Sequence, residues 1–250
     1  MDLALDLFIK LAVIIVFVGM TSLAAAWALL RGFKPRAVVL TGTLTLTLFL
    51  AALFLLVQSN LKQDTLPLFQ NYFNETWNHQ AQWLKDSGFG QDKIDLFKEI
   101  YQKYIFYSFP AWLVVNCLFM GLLAYYLSSS ILSRVTSRVS KPIPFREWVV
   151  PEPLVFGLIV GGLLKIVFKE NAPMDILGNN FLVFFVGLYT LSGLSIVSFF
   201  FHKWRLPLAI RILSYLVILN LILETICCFG VLDVWFDFRK LKSAPKEPVV

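Results

Sequence analysis

Residues 7–30 form an apolar run broken by one charge, Lys10, and five runs of similar character follow at 37–57, 108–127, 150–168, 176–201 and 208–232. A helix rises ~1.5 Å per residue, so about 20 apolar residues cover the ~30 Å hydrocarbon core of a bilayer. No water-soluble interior could take up six such runs. The chain therefore reads as an all-α membrane protein, a bundle of about six transmembrane helices forming one polytopic domain over residues 1–250. Composition agrees: 58% of residues are hydrophobic and 15% charged, against ~45–50% apolar and about 25% charged in soluble chains.

The first run is kept as a helix and not as a cleaved leader. Asp2 and Asp6 outnumber Lys10, the reverse of a basic n-region, and the run exceeds the ~7–15 residues of a signal core. In the second, Thr41, Thr43, Thr45 and Thr47 alternate with apolar residues as in a strand. Length and apolar continuity favour helix, with the hydroxyls bonded back to the preceding turn. Cys117, Cys227 and Cys228 lie inside apolar runs without ligand-like spacing to His79 or His202. They are expected as small packing residues, and no metal or cofactor is expected.

The polar insertion at 58–107 is the one sizeable departure. Asp64 and Thr65 ahead of Leu66 and Pro67 resemble a helix start, and Gly88 and Gly90 break the pattern. Beyond the break Ile94, Phe97, Tyr101 and Tyr104 recur at helical spacing, opposite Lys93, Asp95, Lys98, Glu99 and Lys103. Two amphipathic helices are expected along the membrane face, with Trp77, Trp83, Tyr101 and Tyr107 as interfacial rings.

The net charge of +6 forms no basic stripe of the kind nucleic acid needs, because the cations sit beside apolar runs. Arg31, Lys34 and Arg36, then Arg134, Arg138, Lys141 and Arg146, then Lys203, Arg205 and Arg211 all fall on one side, which the positive-inside rule makes cytoplasmic. Anionic lipid headgroups are the partners expected there. The insertion then faces outward, in a bacterial cytoplasmic (inner) membrane protein of multi-pass type. Six spans also place the C-terminus outside, against the pull of Arg239, Lys240, Lys242 and Lys246; either that bias is overridden or one run is re-entrant.

The run ends on GVLDVWFDFRKLK at 230–242. Helical spacing puts Leu232, Trp235 and Phe238 on one face and Asp233, Asp237 and Lys240 on the other. An interfacial anchor helix is expected over 233–250, comprising Asp233, Trp235, Asp237, Phe238, Arg239 and Lys240 and ending in a short polar tail.

Three stretches, LDVWFDFRKL at 232–241, PFREW at 144–148 and GNN through LSGLSIVSFFF at 178–201, together resemble the YybS-like family of multi-pass bacterial membrane proteins of unknown function. The similarity covers roughly residues 30–242. That family is distantly similar to the S components of energy-coupling-factor transporters, in which a small-residue face of the first helix docks the transport motor. Ala24 and Ala28 are similar in kind, and the resemblance implies solute recognition by analogy of fold alone.

Charged groups at bilayer depth cost ~2.5–3.5 kcal/mol each. Lys165 and Glu224 lie comparably far into their runs, with Asn220 one turn from Glu224. A buried Lys165–Glu224 pair is the expected arrangement; the competing readings are a snorkelling Lys165 and a protonated Glu224. Asn116, Asn179, Asn180, Tyr189, Ser192 and Tyr215 are candidates for the same polar interior. Gly157 and Gly161 form a GxxxG spacing, and Gly187 and Gly193 interrupt the fifth run. No Walker A loop, GxSxG elbow, HExxH helix or CxxC pair is present, so no enzyme is expected. Two functions remain open: a scaffold or assembly subunit, with a membrane-protein partner or a second copy of itself, and a solute-recognition or transport subunit.

Overall fold

A computed structural model of the protein describes residues 3–61, 65–221 and 223–241. Among them all regular structure is helical. The chain divides into two compact units, residues 1–142 and 143–250.

The first unit holds α1 (Leu3–Leu30), α2 (Pro35–Leu61), α3 (Thr65–Asp86), α4 (Gln91–Tyr101) and α5 (Phe109–Val135), with one π-helical stretch (Gln102–Phe106) between α4 and α5. α1, α2 and α5 pack against one another. Each buries a stripe at helical spacing: Thr21, Ala25 and Ala28 on α1, Val38, Val39, Thr43 and Leu46 on α2, and Cys117, Gly121, Ala124, Tyr125 and Ser128 on α5. Ser128 ties α5 to α1 by donating to the Ser22 carbonyl at 2.9 Å. The stripe on α1 runs through Ala25 and Ala28; Ala24, expected beside Ala28, is only half-buried.

The four alternating threonines are helical, as their length argument required. Thr41, Thr43, Thr45 and Thr47 each donate to the carbonyl four residues back, at 2.8–2.9 Å. Their hydroxyls are thereby satisfied without water, the condition for carrying them in hydrocarbon. On the outer face Leu40, Leu44 and Leu48 are all more than half exposed. An apolar outer face of that extent suits lipid.

In the insertion, α3 ends at a left-handed glycine, Gly88 (φ +84°). Its N–H bonds the Lys85 carbonyl and that of Phe89 the Leu84 carbonyl, the paired closure that lets a helix stop within one turn. α4 folds back on α3, and Phe73, Trp77, Ile94 and Tyr101 close a small aromatic core. Phe97, expected on that buried face, is 38% exposed and meets Phe89 edge to face.

The second unit holds α6 (Val155–Val167), α7 (Ala172–Lys203), α8 (Leu208–Leu221) and α9 (Leu223–Phe236), preceded by irregular chain with 3-10 turns at Phe145–Glu147 and Glu152–Leu154. α6 and α9 both pack on α7 around Val150, Val155, Phe185, Tyr189 and Cys227. α7 runs unbroken through Gly187 and Gly193. Gly193 serves a crossing instead: a side chain there would enter the Ile226 carbonyl, and one on Gly230 would enter that of Tyr189. Gly157 and Gly161 do lie at a contact, under Phe185 and against Phe181 and Leu182 of α7. Cys117 and Cys227 are buried, whereas Cys228, expected to pack, is exposed.

Among the described residues four helices are, by length and composition, long and apolar enough to cross a membrane, within α1 and α2 and over α5 and α7. They account for four of the six expected spans. The fourth expected span is a 13-residue helix, ~20 Å long against a ~30 Å core, because Pro151 and Pro153 keep the preceding residues out of regular helix. Of the sixth, α8 and α9 are described on either side of residue 222, which lies outside the described residues.

Candidate functional site

α9 stops at Phe236, and the helix expected from 233 onward is replaced over 237–241 by a reversal of the chain; residues 242–250 lie outside the described ones. Asp237 and Lys240 take left-handed backbone, φ 42° and 53°, a region aspartate tolerates better than most residues. Asp233 Oδ1 accepts from Phe238 N at 2.9 Å and Asp237 Oδ1 from Leu241 N at 3.0 Å. This turn aims Arg239 inward. Asp233, expected on the wetted face of the anchor, and Arg239, expected within the anchor, are both 4% exposed, while Trp235, Phe236 and Lys240 stay outside.

The Arg239 guanidinium reaches four groups. Nη2 meets Asp233 Oδ2 at 2.7 Å, and Nη1 shares its two protons among the carbonyls of Arg146 and Trp148, each at 3.0 Å, and Ser195 Oγ at 2.6 Å. Ser195, fully buried on α7, has one proton for two acceptors, the Phe145 carbonyl at 2.8 Å and that of Trp148 at 3.0 Å. The physical logic lies in residues 143–154, where helical bonding is interrupted and carbonyls lack intrahelical donors. Buried carbonyls must be satisfied, and the Nη1 end of the planar guanidinium does so for two at once. Asp233 neutralises the charge this brings inside. The cluster is an arginine clasp holding the irregular segment to α7.

A second polar group joins the tip of the α6–α7 hairpin. Lys165 Nζ lies 3.2 Å from Asp175 Oδ1 and 3.4 Å from Asn179 Oδ1. Lys165 sits in the last turn of α6 and Asp175 in the first of α7, where each charge complements its helix dipole. Gly178, whose missing Cβ leaves room for Leu164 and the Lys165 backbone, sets the close approach.

The expected Lys165–Glu224 pair is thus replaced: Lys165 takes Asp175, and Glu224 is exposed on α9. Of the remaining candidates Asn179 joins Lys165, whereas Asn180 donates to its own Ile176 carbonyl at 2.9 Å. Asn116 belongs to the first unit, where it donates to Trp112 O at 2.8 Å. The Asn220 side chain lies outside the described residues. Tyr189 and Ser192 are buried on α7; Tyr215 meets Phe201 edge to face.

Sequence reasoning missed the clasp. One signal was available: proline-rich chain between apolar runs has carbonyls without helical donors, and the arginine and serine that meet them lie in the three stretches that carried the resemblance. No curated protein and no solved structure matches this chain. A family model does, over residues 3–234, nearly the whole of it; the match takes in Asp233 and stops short of Arg239. The chain belongs to the family described as predicted membrane protein DUF2232.

Proposed function

We propose that this protein is a non-enzymatic scaffold or assembly subunit, passing several times through a bacterial inner membrane with its 58–107 insertion outward. The observation that carries this reading is the use made of the buried charges. Arg239 and Asp233 hold the second unit's own backbone, and Lys165 and Asp175 join its own hairpin. Groups so committed stabilise a frame. The YybS-like kinship is part of the same proposal, and the outward aromatic hairpin, with Tyr72 and Trp83 exposed, is where a membrane or envelope protein would dock. Photo-crosslinkers at Tyr72 and Trp83 in living cells should recover one defined protein, and a second copy of this chain would count as such. Labelling of lipid alone would end the scaffold reading.

A second reading, a solute-recognition subunit similar to transporter S components, is favoured by Glu224, an exposed carboxylate in the first turn of a largely apolar helix. A carboxylate so placed is a functional candidate. Saturable ligand stabilisation that disappears in Glu224→Gln, with the fold intact, would select this reading over the first.

A further inference from the structure

Between α3 and α4 the insertion forms a half-open cleft of ≈ 260 Å³. Its apolar walls come from Phe73, Trp77 and Tyr101, all buried, with the Trp77 and Tyr101 ring centres 5.3 Å apart. Its polar edge comes from Gln70 and Asn74 on α3, from Lys98 on α4 and from Gln102 at the start of the π-helical stretch. The spacing is helical on both sides, 70, 73, 74 and 77 against 98, 101 and 102, so each helix presents rings and polar groups on one face. Among the described residues, the side chains of these four polar residues make no hydrogen bond or ion pair.

The chemistry of the lining narrows the ligand. A purely apolar guest would bury amides without partners, which is unfavourable. A phosphate or dicarboxylate calls for several cations or an arginine fork, and the cleft has one lysine. Amide side chains both donate and accept, the pattern a set of hydroxyls matches, while aromatic rings take the C–H side of a saturated ring. The volume falls below the ~300–1,000 Å³ of drug-sized sites, which limits the guest to about one ring. We propose that this cleft binds a single pyranose ring, as a free monosaccharide or the terminal unit of a surface glycan, with the ring against the edges that Trp77 and Tyr101 leave open to the cleft, the hydroxyls on Gln70, Asn74 and Gln102, and Lys98 taking a hydroxyl or an acidic substituent. The site needs only the folded insertion and stands apart from the scaffold reading.

The test uses the full chain in lipid nanodiscs, free of sugar-headed detergent, with glucose, N-acetylglucosamine and glucuronate as probes in saturation-transfer NMR. At least one sugar should give saturable transfer to its ring protons, weakened about tenfold in Asn74→Ala/Gln102→Ala, since two net hydrogen bonds are lost. Both positions are exposed, so the variant should unfold thermally as the wild type does. Lys98→Met should abolish any preference for glucuronate over glucose. The proposal is overturned if none of the three sugars gives saturable transfer, if the double variant binds as the wild type does, or if indole binds the cleft and sugars do not.

Discussion

Replacing Asp233 by alanine leaves the Arg239 guanidinium buried without its counter-charge. The two side chains are 5% and 0% exposed, so solvent screening offers almost no relief, and breaking such a pair costs about 3–5 kcal/mol. Loss of the acceptor for Phe238 N falls within that range, because the same carboxylate makes both contacts. Asp233→Asn keeps an acceptor for only one of the two donors, Phe238 N or Arg239 Nη2, and turns an NH2 group toward the other, so it should cost nearly as much as Asp233→Ala. The protein supplies its own reporters. Cys227 is buried in the second unit and Cys117 in the first, so in a Cys228→Ser background, maleimide labelling during a denaturant titration follows each unit. Asp233→Ala should expose Cys227 at markedly lower denaturant. A shift worth under about 1 kcal/mol, the scale of an exposed pair, would refute the clasp as a buried structural element.

Ser195→Ala removes a hydroxyl that serves Phe145 or Trp148 and accepts from Arg239, so the same titration should register about 1–3 kcal/mol, the cost of an unsatisfied buried group. Gly230→Val places a side chain in the Tyr189 carbonyl and should prevent α9 from docking, at more than about 3 kcal/mol, whereas Gly162→Ala, with open space around its site, should be close to neutral. Lys165→Met strands Asp175 at the hairpin tip and should destabilise the second unit; Lys165→Met with Asp175→Leu should recover most of the loss, and failure to recover would show that the pair is not the issue. Burial, then the neighbouring Tyr72, raises the Tyr101 phenol above its ordinary value. The neutral phenol is therefore favoured in the fold: its contribution is complete below about pH 10 and is lost as pH rises through the raised folded value. Alkaline melting of the insertion, followed by tryptophan emission, should occur at higher pH in Tyr101→Phe.

Membrane residence, helical class and the outline of the insertion were legible in the chain because they depend on quantities that add along it. Apolar length decides what enters hydrocarbon, and a threonine bonds the carbonyl four residues behind it wherever the helix goes. The glycine break at 88 is equally local. The expectation failed at residues whose partners lie far away in sequence. Arg239 finds Arg146, Trp148 and Ser195 across 93, 91 and 44 positions, and Lys165 prefers Asp175 to Glu224 because a tight hairpin, and not matched depth in separate spans, brings charges together.

By itself, then, the sequence determined the solvent this protein must live in and the helices that solvent permits, since transfer from water to hydrocarbon is close to a sum over residues. Only the tertiary structure decided that Arg239 turns inward and closes the carbonyls of an irregular segment. The reason is that a buried charge takes whichever partners packing delivers, and packing depends on how α7 meets α6 and α9 through glycines whose role no local pattern discloses.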